Sequence, residues 1–171
     1  MKVALALTIL ALGLCHIGLV VAADQQPTVA KKFTVSPIGW VRKVGGRTTI
    51  ELEKQYQPGL LGLDGWSHVY VFWWFDRNDT PARRATLQVH PRGDRQNPLT
   101  GVFATRSPSR PNLIGLTLCK IVSVKDNLLE VEKIDAFADT PVLDLKPYIP
   151  GYDTTTDATV PQWLHERVKK K

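Results

Sequence analysis

The sequence predicts an all-β fold, a barrel or sandwich of short strands with irregular functional loops, on two observations. Short runs rich in Val, Ile, Thr and aromatic residues alternate with period two or are wholly apolar, and Gly, Pro and Asn/Asp turns separate them. No long stretch carries helical periodicity with convincing caps. Neither an internal repeat nor a second domain is visible.

The elements follow in order. Residues 33–41 are a β-rich run, and 48–52 alternate in the strand manner after a Gly45-Gly46 turn. Residues 68–75, HVYVFWWF, are apolar on both parities and too short for a typical helix, so they read as a strand covered on both faces. Residues 87–89 form a short strand. Residues 114–124 alternate, with Ile114, Leu116, Leu118, Val122 and Val124 on one side, and 128–134 pair with them across a Lys125-Asp126-Asn127 turn. Helix is expected only as one turn at 83–87 and as a short basic segment at 162–171, with Trp163, Leu164 and Val168 docking on the body.

The N-terminus reads differently. Lys2 precedes an apolar run over 3–21, broken only by Thr8 and His16, and Val21-Ala22-Ala23 gives a small-residue cleavage pattern before Asp24. This predicts a secretory signal peptide over 1–23, with an uncleaved membrane anchor as the alternative. Leu14 stands where a lipoprotein anchor on Cys15 wants a small residue. Cleavage leaves about 148 residues, enough for one domain with a core and with no stable membrane span. The chain is then exported, periplasmic or secreted; it is cytoplasmic if the leader is not functional. The full sequence carries a net charge of +6, of which the leader takes only Lys2. That mild basicity suits a phosphate-bearing or polyanionic partner. Cys119 is left without a partner, so no internal disulfide is expected.

The familiar catalytic signatures are absent: no phosphate-binding glycine loop, no GxSxG elbow and no paired zinc histidines. With His68, His90, His165 and one Cys, no metal site is expected. Four loops carry the candidate chemistry. Asp76-Arg77-Asn78-Asp79 leaves the aromatic strand where a barrel mouth places ligand contacts, or is a solvated strand exit. In 90–95, Arg92 can fork onto a carboxylate or phosphate, against a plain surface turn. In GVFATRSPSRPN (101–112), Arg106 and Arg110 offer N–H donors beside Ser107 and Asn112 on a backbone stiffened by Pro108 and Pro111. The alternative there is a loop pinned by arginine–carbonyl bonds. In 139–148, Asp144, Lys146 and Tyr148 alternate with apolar residues, and a structural Asp–Lys pair is the simpler reading. His68 reads as a histidine satisfied by backbone carbonyls rather than a proton shuttle.

LDGWSHVYVFWWFD (63–76), GVFATRSPSRPNLIGLT (101–117) and DTPVLDLKPYIP (139–150), in this order, resemble the TsaA-like family of TrmO-type methyltransferases. The resemblance covers about 33–152. With the N-terminal reading above, the chain divides into the signal peptide (1–23), a polar leader (24–32), a TsaA-like β-barrel domain (33–153) and a basic C-terminal tail (154–171). The resemblance implies a small barrel that binds S-adenosyl-L-methionine, usually as a homodimer, and N-methylates threonylcarbamoyl-adenosine of tRNA or a related adenosine-like acceptor. In-line attack on a sulfonium carbon needs positioning and proton removal, with no covalent intermediate.

By the resemblance, Asp76, Arg77, Arg92, Asp135, Ala136, Phe137 and Ala138 fall where the family contacts its cofactor. His68, Arg106, Ser107, Arg110, Asn112, Asp144, Lys146 and Tyr148 fall in its substrate and signature loops, and no catalytic residue is named. The chain lacks the Pro-Arg-Gln motif typical after the first strand, has Asp139-Thr140-Pro141 where many members read Asp-Gly-Thr-Pro, and carries Asp76 where tRNA-acting members often show histidine. Two other readings stand beside methyl transfer: an exported S-adenosylmethionine- or nucleoside-binding barrel without turnover, and an interaction module.

Overall fold

A computed structural model of the chain describes residues 32–168, and every element below lies in the compact unit that begins at Thr34. The expected signal peptide and nearly all of the polar leader lie outside the described residues. Among the described residues, no helix is long and apolar enough to cross a membrane.

Strands β1 (Gly39–Val44) and β2 (Arg47–Leu52) form a hairpin. Its turn residues, Gly45 and Gly46, have φ of 57° and 79°, the left-handed pair that a tight two-residue hairpin requires. β1 starts at Gly39 rather than 33, because Pro37 has no N–H to give to a ladder and Phe33 and Val35 are exposed. β3 (His68–Trp74) precedes two short paired strands, β4 (Gln88–Val89) and β5 (Thr100–Gly101). β6 (Ile114–Lys125), β7 (Leu128–Val131) and β8 (Pro141–Pro147) complete the set.

Six of these strands close into an antiparallel barrel in the order β1-β2-β7-β6-β3-β8, the ring shutting where Gly39 pairs with Val142. A Cβ at Gly39 would stand 2.3 Å from the Glu51 carbonyl oxygen, so only glycine fits at this corner. Helix α1 (Pro81–Ala85) lies in the connection from β3 to β4, and α2 (Pro150–Asp153) and α3 (Gln162–Val168) follow the last strand. α1 begins two residues before the expected turn because Thr80 caps it, accepting from the Arg83 N–H, with Pro81 in the first turn.

The core is the inward parity of the strands: Val41, Ile50, Val69, Val71, Leu129 and Val142 are fully buried. β3 was expected to be covered on both faces. It is buried on one face only, since a closed barrel has a single interior, and Tyr70, Phe72 and Trp74 stand half-buried outside. β6 is the larger surprise. Its apolar parity points outward: Ile114, Leu116 and Leu118 are exposed, while Gly115, Thr117 and Cys119 face in. The two outer rows meet directly, Tyr70 opposite Leu118, Phe72 opposite Leu116 and Trp74 opposite Ile114. A register shift between Ile121 and Ser123 then swaps the faces, so Val124 packs on the core.

Candidate functional site

The connections between β4 and β6 carry most of a cleft, and their shape starts from strained backbone. Arg92 has φ 63°, a left-handed conformation costly for any residue but glycine, and Gly93 follows at 71°. Buried Asn97 holds the turn. Its Nδ2 donates to the Pro91 carbonyl at 2.8 Å, and its own carbonyl lies 2.8 Å from His90 Nδ1. A carbonyl only accepts, so His90 Nδ1 carries a proton, and in the neutral ring the lone pair is on Nε2.

The 101–112 loop is tied mostly to itself. Thr105 Oγ1 donates to the Val102 carbonyl at 3.0 Å, while Ser107 Oγ accepts from the Ser109 N–H at 3.2 Å. Arg110 Nη1 reaches the carbonyls of Thr105 and Ser107 at 3.3 and 3.4 Å. Helix α1 braces the loop from outside: Arg83 Nη1 donates to buried Ser109 at 3.0 Å, and Arg84 Nη1 to the Pro111 carbonyl at 3.2 Å. Asp79 orients Arg84 through a 2.7 Å bond, and this, with a second bond from Trp74, holds its carboxyl below the usual range. So the two arginines of the motif part company. Arg110 pins the loop, while Arg106 is exposed and leaves it.

These loops enclose a cleft of about 1180 Å³ lined by Arg83, Arg92, Arg95, Arg106, Ser107 and His90, among others. Among the described residues, Arg92, Arg95 and Arg106 have no hydrogen bond or ion pair to a protein acceptor. Among the described residues, Asp135 is the one carboxylate that lines the cleft, and Phe103 stands exposed at its edge. Val160, Pro161, Trp163 and Leu164 supply an apolar wall. Concentrated guanidinium donors facing an apolar wall can take a ligand that is anionic at one end and planar at the other.

The expected site residues fall into three groups. Arg92, Arg106, Ser107 and Asp135 share the cleft. From Asp135 the chain runs through buried Ala136 to Phe137, on whose ring the Arg77 guanidinium sits at 4.2 Å from the centroid; Arg77 also donates to the Ala138 carbonyl at 3.5 Å. Asp76 accepts from Thr140 Oγ1 at 3.4 Å beside them. The third group is on the outer wall. Lys146 pairs with Asp144 at 3.0 Å, and Tyr148 stands edge-on to His68 and Tyr70 with its hydroxyl 2.5 Å from Thr154 Oγ1. The His68 partner is the Ser67 hydroxyl at 2.9 Å rather than a backbone carbonyl. Asn112 stays outside the cleft, and its carbonyl accepts from the Ile114 N–H. Sequence reasoning passed over His90, Asn97 and Arg83. A buried Asn seven residues from a His is a weak signal without the fold.

The family model described as the tRNA-methyltransferase O N-terminal domain matches residues 25–154. A "Probable S-adenosyl-L-methionine-binding protein" of Methanocaldococcus jannaschii is 43% identical over 114 residues, which is 67% of this chain and 90% of that protein. A tRNA (adenine(37)-N6)-methyltransferase of Homo sapiens is 43% identical over 105 residues, 61% of this chain and 23% of that protein. The crystal structure of TrmO from Pseudomonas aeruginosa superposes with a TM-score of 0.59 at 29% identity, covering 75% of this chain and 62% of that one. The chain thus spans most of the archaeal relative, less than two thirds of the solved TrmO chain and a small part of the human protein. Its closed barrel agrees with these matches, and the chain belongs to the tRNA-methyltransferase O N-terminal domain family, the TsaA-like, TrmO-type group.

Proposed function

We propose that the chain is an S-adenosylmethionine-dependent methyltransferase that acts on a nitrogen of an adenosine-like acceptor, with threonylcarbamoyl-adenosine of tRNA as the first candidate. The observation that carries the reading is the set of three acceptor-free arginines facing one cleft with Asp135. The names of the relatives, one for binding S-adenosylmethionine and one for methylating tRNA adenine, support it.

The donor set fits the cofactor. S-adenosylmethionine carries a carboxylate for an arginine, a cationic sulfonium and ammonium for a carboxylate such as Asp135, and a planar base for an apolar wall. Arg92, Asp135 and the adjoining 136–138 segment would hold it, with Asp76 and Arg77 beside that segment. Bound there, the cofactor supplies an electrophilic methyl group. The protein's part is to orient, to exclude water and to take a proton. His90 is suited to the last task, because its bond to Asn97 leaves Nε2 bare at the cleft. Arg95 and Arg106 suit the acceptor's phosphates, which a net charge of +6 would attract.

The homodimer implied by the resemblance finds support in the outer face of β3 and β6. Rows of Tyr70, Phe72 and Trp74 against Leu118, Leu116 and Ile114 form an apolar band of the kind that a second copy covers. The Lys2 start and the Val21-Ala22-Ala23 pattern support a second reading, an exported copy that binds the nucleoside without turnover. Transfer of labelled methyl from S-adenosylmethionine to unmethylated tRNA, read by nucleoside mass spectrometry, separates the two. A labelled adenosine derivative upholds the enzyme. Tight cofactor binding with no labelled product upholds the binding barrel.

A further inference from the structure

The apolar wall of the cleft comes from a part of the chain beyond the residues matched by the family model. After α2 the chain runs without regular structure from Thr154 to Pro161, then turns into α3, which brings Trp163 and Leu164 to the cleft. The run is tied at its start, where Thr154 meets the Tyr148 hydroxyl. Among the described residues, no hydrogen bond or ion pair joins 158–165 to the barrel or its loops; the bonds there, from the Leu164 and His165 N–H groups, return to Pro161. Among the described residues, the segment meets the barrel's loops through the apolar side chains it brings to the cleft. Trp163 is half-buried, so part of its indole stays open beside the cleft. It borders the same space as Arg92, Arg106 and Ser107.

We infer that Trp163 is the stacking surface for an adenine ring bound in this cleft. The inference rests on the nucleoside reading of the cleft and names the residue that grips the base. A flat, electron-rich ring opposite cationic donors is the pairing by which proteins hold a purine while its charged end is fixed elsewhere. Among the described residues, 162–165 have no hydrogen bond to the barrel that a shift by the thickness of a base would break. The adenine belongs either to the cofactor or to the acceptor, and the chemistry of stacking is the same for both.

The test uses the full chain, its Trp163→Ala, Trp163→Phe and Arg106→Ala variants, and two probes titrated by calorimetry: S-adenosylhomocysteine and an anticodon stem-loop RNA. Trp163→Ala weakens one probe by about tenfold or more, within the range for base stacking on an aromatic ring, and Trp163→Phe stays within roughly threefold of the parent. Loss confined to S-adenosylhomocysteine assigns the ring to the cofactor's adenine; loss confined to the RNA assigns it to the acceptor's. If Trp163→Ala disturbs the fold by circular dichroism, indole emission decides. Ligand then quenches a component present in the parent and missing from Trp163→Phe.

Both probes binding a folded Trp163→Ala within about twofold of the parent, with Arg106→Ala weakened, would overturn the stacking role and leave the nucleoside site standing. A folded parent that binds neither probe would overturn both.

Discussion

The indole of Trp73 lies against the backbone of Gly115, its partner across β3 and β6: a Cβ at 115 would stand 2.5 Å from the ring. The ring is fixed on its other sides, by a 3.1 Å bond from Nε1 to Thr117 Oγ1 and by the edge contact with Phe75. Gly115→Ala therefore forces the largest core side chain off its seat. It is expected to lower unfolding free energy by about 1–3 kcal/mol, the usual cost of overpacking. Urea denaturation measures this, and an unchanged midpoint would mean that the indole has room to move.

Arg92 pits stability against binding. Glycine adopts φ 63° without strain, so Arg92→Gly should stabilise the fold by about 1 kcal/mol. The same change removes a cleft guanidinium and should weaken S-adenosylhomocysteine. Thermal melts and titration together check this pairing, and a variant that loses stability would show that the arginine side chain holds the turn.

The two arginines of the 101–112 loop should separate by experiment. Arg106→Ala is expected to weaken nucleoside binding by about 1.5–3 kcal/mol, the range for charged hydrogen bonds, with little change in melting temperature. Arg110→Ala should do the reverse first, because the carbonyls of Thr105 and Ser107 lose their donor. Equal effects of the two variants on both readouts would contradict this division.

Cys119 gives a pH signature. Burial pushes its thiol up to about 11, from an ordinary value of 9.0. The folded state thus keeps a proton that the unfolded chain releases. The thiol's contribution is full below pH 9 and is lost as the pH rises toward 11. Denaturant melts at pH 8 and 10.5 should show a steeper fall for the parent than for Cys119→Ala. Parallel slopes would place the thiol in contact with water.

Strands and turns were legible because their signals are local. Gly45-Gly46 forces a hairpin, the apolar 69–75 run cannot be a loop, and the alternation in β6 is visible by eye. Which side of β6 faces the core was not legible. Gly115, Thr117 and Cys119 look like the solvent parity until the barrel shows that Trp73 fills the space above Gly115. The site divided in the same way. Arg92 and Arg106 could be picked out by charge and loop stiffness, but their separation from Arg110 depends on which carbonyls lie within reach. The pairing of His90 with Asn97 is a product of the left-handed turn between them.

The barrel closes on two paired positions, Gly39 with Val142 and Trp40 with Pro141, helped by the Ile38, Val41 and Asp139 amides. That is the shortest join in the ring, and the chain enters it directly from the 135–138 segment beside the cleft. A cylinder under stress gives first at its weakest seam. Here Asp135, which lines the cleft, stands just before the seam in the chain, so a molecule seated against it is expected to fasten the cylinder as well. Amide exchange at Asp139, Thr140 and Val142 should report occupancy of the cleft from across the join.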